Sequence, residues 1–136
     1  MINFLRASLK SFIFSAAKKK EVYKLKDIPH EWEKMSDSDS LWKKVIDDED
    51  TSVKAVYFHA LEDEEDLLHY HDYVEHIIVL KGKVRIETEK QSFNLTSGDD
   101  LTIPAKVPHY SEAKKGSIQL VIWHPVTEPE LVWSKL

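Results

Sequence analysis

Cysteine is absent from this chain of 136 residues, and glycine occurs only three times. Without cysteine there is no disulfide framework, thiolate metal site or cysteine nucleophile, so a metal ion would have to be held by histidine and carboxylate side chains. Long apolar runs are also missing, since no stretch approaches the roughly 18 residues that a transmembrane helix needs. Polar residues interrupt the first 25 positions, unlike a secretory signal, and a cytoplasmic location is therefore expected.

The length allows one domain with a genuine core but not two comfortable ones. The net charge of -5 is unevenly distributed, because residues 1–20 carry five basic side chains and no acidic one, which leaves -10 for the other 116 residues. A mostly acidic body argues against a nucleic-acid binder, whose affinity depends on lysine and arginine contacts to phosphates.

The basic segment at residues 1–20 is expected to form a short amphipathic helix in front of a single domain at 21–136. Apolar residues within 4–17 recur at spacings of three and four, which predicts one apolar stripe along a helix. Packing of that stripe on the domain or on a second subunit is the favoured interpretation. Binding to a membrane surface is the less favoured alternative.

From residue 41 onward, short stretches rich in β-branched and aromatic residues alternate with turn or charge clusters, which predicts an all-β sandwich or barrel. Glycines at Lys81-Gly82 and Ser97-Gly98 supply the positive φ of tight turns. The acidic runs 47–50 and 62–66 are expected to be exposed loops, and the stretch 22–40 irregular with at most one short strand. The predicted strands are 41–46, 52–60, 67–71, 74–80, 83–89, 91–95, 100–103, 107–113 and 117–124.

Residues 69–76 read HYHDYVEH and directly precede the apolar run 77–80. On a strand that continues or resumes in phase, His69, His71 and Glu75 point to one face. Imidazoles and a carboxylate aimed at an apolar interior are either paired or bind a ligand, because burying them unpaired is costly. The two histidines alone fit hydrogen-bonded core residues equally well. The glutamate, together with His109 behind a glycine turn, a short strand and two prolines, favours a metal site with four ligands.

Two spacings resemble the motifs of the cupin family. The run from His69 to Gly82 is similar to the first motif, HxHx(3,4)Ex(6)G, and the run from Gly98 to His109 is similar to the second, Gx(5)PxGx(2)Hx(3)N. Positions where this chain departs from the family pattern lie on turns and strand ends and leave the ligand set intact; they are Asp63 and Lys106 in place of glycine, and Ala113 in place of asparagine.

The resemblance implies the cupin double-stranded β-helix, a jelly-roll barrel that is often a homodimer. It also implies one divalent transition metal, bound by His69, His71, Glu75 and His109. Three neutral imidazoles and one carboxylate suit Fe, Mn, Ni, Co or Zn and leave one or two coordination positions open.

Because cupins include dioxygenases, isomerases and sensors, the resemblance selects no reaction. We expect a small metalloenzyme of the dioxygenase or isomerase type, acting on a small oxygenated metabolite that chelates the metal. The alternative is a non-catalytic module that senses a metal or ligand and acts through a protein partner, which the helix at 4–17 would contact. Aromatic residues that are weak candidates for a catalytic role, and that fit core positions better, are Tyr57, Tyr73, Tyr110 and Trp123.

Three further histidines lie on predicted strands. His76 neighbours Glu75 and so faces the opposite way, which predicts a surface, interface or metal-supporting position. His59 and His124 have no evident partner in the sequence and are expected to be satisfied histidines of the core or its rim.

Overall fold

The computed structural model describes residues 27–126, and every helix or strand element in that range is a β-strand. The predicted helix at 4–17 lies outside the described residues. Over 27–126 no helix is present that is long and apolar enough to cross a membrane. The strands are β1 Glu33–Lys34, β2 Leu41–Asp48, β3 Val53–His59, β4 Glu64–His69, β5 Val74–Lys81, β6 Lys83–Glu87, β7 Ser92–Thr96, β8 Asp100–Ile103, β9 His109–Ala113 and β10 Ile118–His124.

The strands form two antiparallel sheets. The larger sheet has the order β1-β2-β3-β10-β5-β8, and the smaller has the order β4-β9-β6-β7. Strands that are far apart in sequence, such as β4 and β9, are hydrogen-bonded neighbours within one sheet, so long connections link the two sheets. The predicted all-β architecture is thereby confirmed for the described residues, as two antiparallel sheets.

The inner faces of the sheets enclose the main core. Along β10, Val121 belongs to the main core cluster, whereas Leu120 and Ile122 belong to a second cluster. Both faces of β10 are buried, because Leu120 is 0 % and Val121 is 5 % exposed. Alternate residues of a strand point to opposite faces, so the second cluster lies on the outer face of the larger sheet.

All nine predicted strands are matched to within three residues at each end, but the expectation of loops at two acidic runs was partly wrong. The strand predicted at 67–71 begins earlier and ends at His69. In the run 62–66, Glu64, Glu65 and Asp66 belong to β4. Likewise Asp47 and Asp48 belong to β2. In each case pairing with a neighbouring strand outweighs the weak intrinsic preference of acidic residues for loops.

A β-bulge interrupts the alternation of side chains along β4. Against β9, Glu64 pairs with Ala113 and Asp66 with Ser111, but the next pair is His69 with His109. One extra residue in β4 therefore shifts the alternation, so that even-numbered Glu64 and Asp66 share a face with odd-numbered His69.

Candidate metal centre

Three histidines from neighbouring segments meet at one end of the barrel. His69 ends β4, His109 begins β9 directly opposite it, and His71 follows β4 in the connection to β5. One ring nitrogen of each lies within 4.8 Å of the corresponding nitrogens of the other two. Among residues 27–126 this is the one group of three or more potential metal ligands at such mutual distances.

Backbone carbonyl groups determine which nitrogen of each imidazole ring carries the proton. Each Nδ1 faces a carbonyl oxygen two residues away in the chain, at 2.6 Å for His69, 3.3 Å for His71 and 2.9 Å for His109. A carbonyl only accepts, so Nδ1 carries the proton in each ring and Nε2 keeps its lone pair. In His71 and His109 that Nε2 is buried and has no hydrogen-bond partner within the described part of the chain. Three convergent lone pairs, two of them buried and unmet, fit a metal ion.

Glu75 lies beside the histidines, and its carboxylate also accepts a hydrogen bond from Trp123. Its Oε2 is 3.4 Å from His109 Nε2, and its Oε1 is 3.7 Å from His71 Nε2. Trp123 Nε1 donates a hydrogen bond of 2.6 Å to Oε1. The structure thus brings all four predicted ligands into one neighbourhood, with Glu75 outside the group of three mutually close donors.

The half-buried His71 and the buried His109 experience different surroundings. Burial lowers the pKa of His71, although the Glu75 carboxylate acts in the opposite direction. Burial also acts to lower the pKa of His109, but Glu75 and the Val107 carbonyl outweigh it, and the pKa is raised. The lowered pKa favours neutral His71, and neutral imidazole is the form of histidine that binds a metal.

The turn after β8 holds the segment that carries His71. The Lys106 N–H donates a hydrogen bond of 2.7 Å to the His71 carbonyl. Lys106 has a φ of 65°, in the left-handed region. This is the position where the second cupin motif has glycine, so the turn keeps the conformation that glycine favours although lysine occupies it.

A cavity of about 350 Å³ adjoins the centre inside the barrel. Glu75 and Trp123 line the end next to the histidines, and the segment 35–40 lines another part. Sequence reasoning missed most of this wall. Its remaining residues include Phe58, Glu64, Asp66, Ile77, Ser111 and Val121 from the inner faces of both sheets, and His59 at the end of β3.

The four aromatic candidates lie in different places. Trp123 lines the cavity, and Tyr73 stacks on the His71 ring with centroids 4.1 Å apart and 4° between the planes. Tyr57 is 3 % exposed in the outer core cluster, where burial raises its pKa to about 12. The Tyr110 hydroxyl contacts Glu112, and the Arg85 guanidinium lies over its ring. Neither Tyr57 nor Tyr110 is among the described residues that line the cavity.

His76 is buried rather than at the surface, so that part of its prediction was wrong. It is 7 % exposed, and its Nε2 lies 2.7 Å from His124 Nε2. The other nitrogen of His76 contacts the Thr102 hydroxyl at 2.9 Å. Burial, with the neighbouring His124, lowers the pKa of His76 to about 3. His124 is 5 % exposed, as expected for a core histidine.

The comparison with known families agrees with this geometry. The family described as the cupin domain matches residues 57–124, half of the chain, which includes all three histidines and Glu75. The sequence has no significant match among curated proteins.

Solved structures share the fold at low sequence identity. An RmlC-like cupin from Shewanella frigidimarina is 18 % identical, with a TM-score of 0.62, over 75 % of this chain and 91 % of that one. A candidate mannose-6-phosphate isomerase from Ralstonia eutropha is 17 % identical, with a TM-score of 0.57, over 74 % and 93 %. The DMSP lyase from Ruegeria pomeroyi is 18 % identical, with a TM-score of 0.56, over 72 % and 57 %. At these identities the likeness shows the fold alone.

Proposed function

Given that this chain belongs to the cupin family, we propose that it binds one divalent transition metal through His69, His71, His109 and Glu75. The observation that carries the proposal is the orientation of the rings. Each Nδ1 faces a backbone carbonyl, so three Nε2 lone pairs are directed at a common region, and two of them are buried without a described partner. Burying such nitrogens without a partner is costly, and a cation removes that cost.

Glu75 is proposed as the fourth ligand through Oε2. Trp123 occupies the other oxygen, so Oε2 remains directed toward His109. When bound, the metal would supply Lewis-acid polarisation of a ligand oxygen and a template for its orientation. The chain's own contribution is to exclude water at His109, which is 1 % exposed, and to offer a cavity beside the centre.

We propose that the site is catalytic, of the isomerase or dioxygenase type, and acts on a small oxygenated metabolite. The cavity supports this, because concave sites with a few convergent polar groups are where proteins usually bind small molecules. Structural neighbours bear the names of an isomerase and a lyase. A sensing module remains the alternative, and the helix on which it depends lies outside the described residues.

The metal proposal is tested by elemental analysis of protein purified without an affinity tag. We expect close to one transition-metal ion per chain, and loss of that ion in His71→Ala and in His109→Ala, because each removes one of the convergent nitrogens. His30→Ala serves as the control, since His30 is exposed and does not belong to the group of three histidines. Full metal content in both ligand variants would refute the site.

Turnover then separates an enzyme from a sensor. Protein loaded with Fe(II), Mn(II) or Zn(II) is incubated in air with diketone and hydroxyketone substrates, while oxygen uptake and isomerisation are followed. Turnover that His109→Ala abolishes supports the enzyme. Metal-dependent binding of a partner protein without turnover supports the sensor.

A further inference from the structure

We propose that the cavity beside the metal centre takes a small ligand with a cationic group, of the alkylammonium kind, together with an oxygen atom that faces the centre. This inference rests on the proposed metal site, and it adds the charge class of the ligand. The cavity volume of about 350 Å³ lies at the lower end of the range for small-molecule sites and suits a compact metabolite.

One wall of the cavity is acidic. Glu64 and Asp66 lie on the inward face of β4, and Glu75 lies at the end next to the histidines. Hydroxyl groups from two other segments hold the first two, since Ser40 donates to Glu64 Oε1 at 2.7 Å and Ser111 donates to Asp66 Oδ2 at 3.3 Å. These contacts fix the carboxylates without neutralising them, so the wall attracts a cation and repels an anion.

The facing wall is apolar and aromatic. Phe58 and Trp123 line it and meet edge to face, with ring centroids 6.1 Å apart and an interplanar angle of 81°. Ile77 and Val121 complete this side of the cavity. Aromatic rings beside carboxylates are the surroundings in which alkylammonium groups are bound, because the ring faces attract a cation and the methyl groups of the ligand contact the apolar surface.

An unmet ring nitrogen of the cavity wall provides independent evidence for a bound molecule. His59 lines the cavity, and its Nδ1 is buried without a hydrogen-bond partner among residues 27–126. Buried ring nitrogens normally have partners, so a polar group of a bound ligand would satisfy this one.

The same wall disfavours anionic substrates such as phosphate esters. Phosphate recognition relies on arginine, lysine or helix N-termini. The described lining contains five acidic residues and no lysine or arginine; the five are Asp37, Glu64, Glu65, Asp66 and Glu75. The mannose-6-phosphate named for one structural neighbour is therefore a poor fit to this cavity.

The test compares two probes that differ only in charge. Choline and 3,3-dimethyl-1-butanol have the same shape and the same hydroxyl group, but only choline is cationic. Binding of each to the metal-containing protein is measured by calorimetry at low and high salt. We expect choline to bind about tenfold more tightly at low salt, with a smaller ratio at high salt.

Two combined variants locate the effect. Glu64→Gln with Asp66→Asn keeps the hydrogen-bond acceptors for Ser40 and Ser111 but removes two charges, so this variant should lose the preference for choline. Glu62→Gln with Asp63→Asn removes two charges at exposed residues outside the described cavity wall and should keep the preference. Equal binding of both probes, no binding of choline, or a preference that survives in the first combined variant would each overturn the proposal.

Metal content measured on the same samples separates the two proposals. Protein that contains metal but shows no preference for choline refutes the ligand class and leaves the metal site standing. Protein that purifies without metal yet prefers choline in a manner that depends on Glu64 and Asp66 refutes the metal site and leaves the cationic cavity standing.

Discussion

The imidazole rings of the candidate centre are oriented by backbone carbonyl groups and not by acidic side chains. Each carbonyl belongs to a residue only two positions away from its histidine. The tautomer of each ring is therefore set by the local chain conformation and does not depend on a distant side chain. Hydrogen bonds to the nitrogen opposite the metal commonly control the orientation and basicity of metal-binding histidines.

Glu75 differs, because a side chain far along the sequence orients its carboxylate. Trp123→Phe would remove the hydrogen bond to Oε1 while keeping an aromatic ring against Phe58. We expect metal affinity to fall roughly 10- to 100-fold, as for other residues that orient metal ligands. Competition with a chromophoric chelator measures the dissociation constant. Trp42→Phe, at another partly buried tryptophan, should leave it unchanged; unchanged affinity in Trp123→Phe would show that this hydrogen bond does not support the centre.

At the scale of residues, spacing predicted which histidines meet but not what surrounds them. His69, His71 and His109 were identifiable because strand alternation and the cupin motifs both single them out. The bond between Trp123 and Glu75 joins residues 48 positions apart. Pairing of β5 with β10 brings them together. The residues around Glu75 and those around Trp123 carry no signal for that pairing, so this contact could not be predicted.

The turn between β5 and β6 depends on a glycine for two separate reasons. Gly82 has a φ of +83°, and a Cβ atom there would lie 2.5 Å from Ser117 Oγ and 2.8 Å from Ser117 Cα. Ser117 cannot easily move, because its hydroxyl donates to the Lys83 carbonyl at 2.9 Å and accepts from the Lys83 N–H at 3.0 Å. Ser117 is also 1 % exposed.

Gly82→Ala is therefore expected to lower the free energy of unfolding by ~2–4 kcal/mol, from the left-handed φ together with the steric overlap. Gly98 is the matched comparison, since its φ is +92° but nothing lies within 4 Å of an added Cβ. Gly98→Ala should cost only ~1–2 kcal/mol. Urea unfolding measures both values, and equal losses would show that contact with Ser117 contributes nothing.

At the scale of elements, the strands were predictable and their irregularities were not. Turn glycines and alternating apolar residues located nine of the strands, because these are local signals. The bulge between Asp66 and His69 depends on how β4 pairs with β9. It reverses the alternation within one strand. The acidic composition of 62–66 predicted a solvated loop, although Glu64 and Asp66 lie on β4 and line the cavity.

On the scale of the whole molecule, the candidate centre joins the two sheets. His69 and His109 come from β4 and β9 of the smaller sheet, whereas Glu75 comes from β5 of the larger one. His71 lies on the segment that crosses between them. The family motifs predicted this fold, since they mark the strands that contribute ligands. The homodimer, the cytoplasmic location and the separate segment at 1–20 stay predictions.

A metal ion that binds only the folded chain shifts the folding equilibrium, so binding at the proposed ligands of the two sheets should stabilise the barrel. Free metal at 100 times its dissociation constant would add ~2.7 kcal/mol, equivalent to a rise in Tm of roughly 5–10 °C for a chain of this size. Calorimetry of protein stripped with chelator and then reloaded measures the shift. The combined variant His71→Ala and His109→Ala should show no such shift; an equal rise in that variant would mean that the ion acts elsewhere. Metal that binds wild-type protein without raising Tm would show that the unfolded chain binds the ion equally well, and would contradict a site formed by the fold.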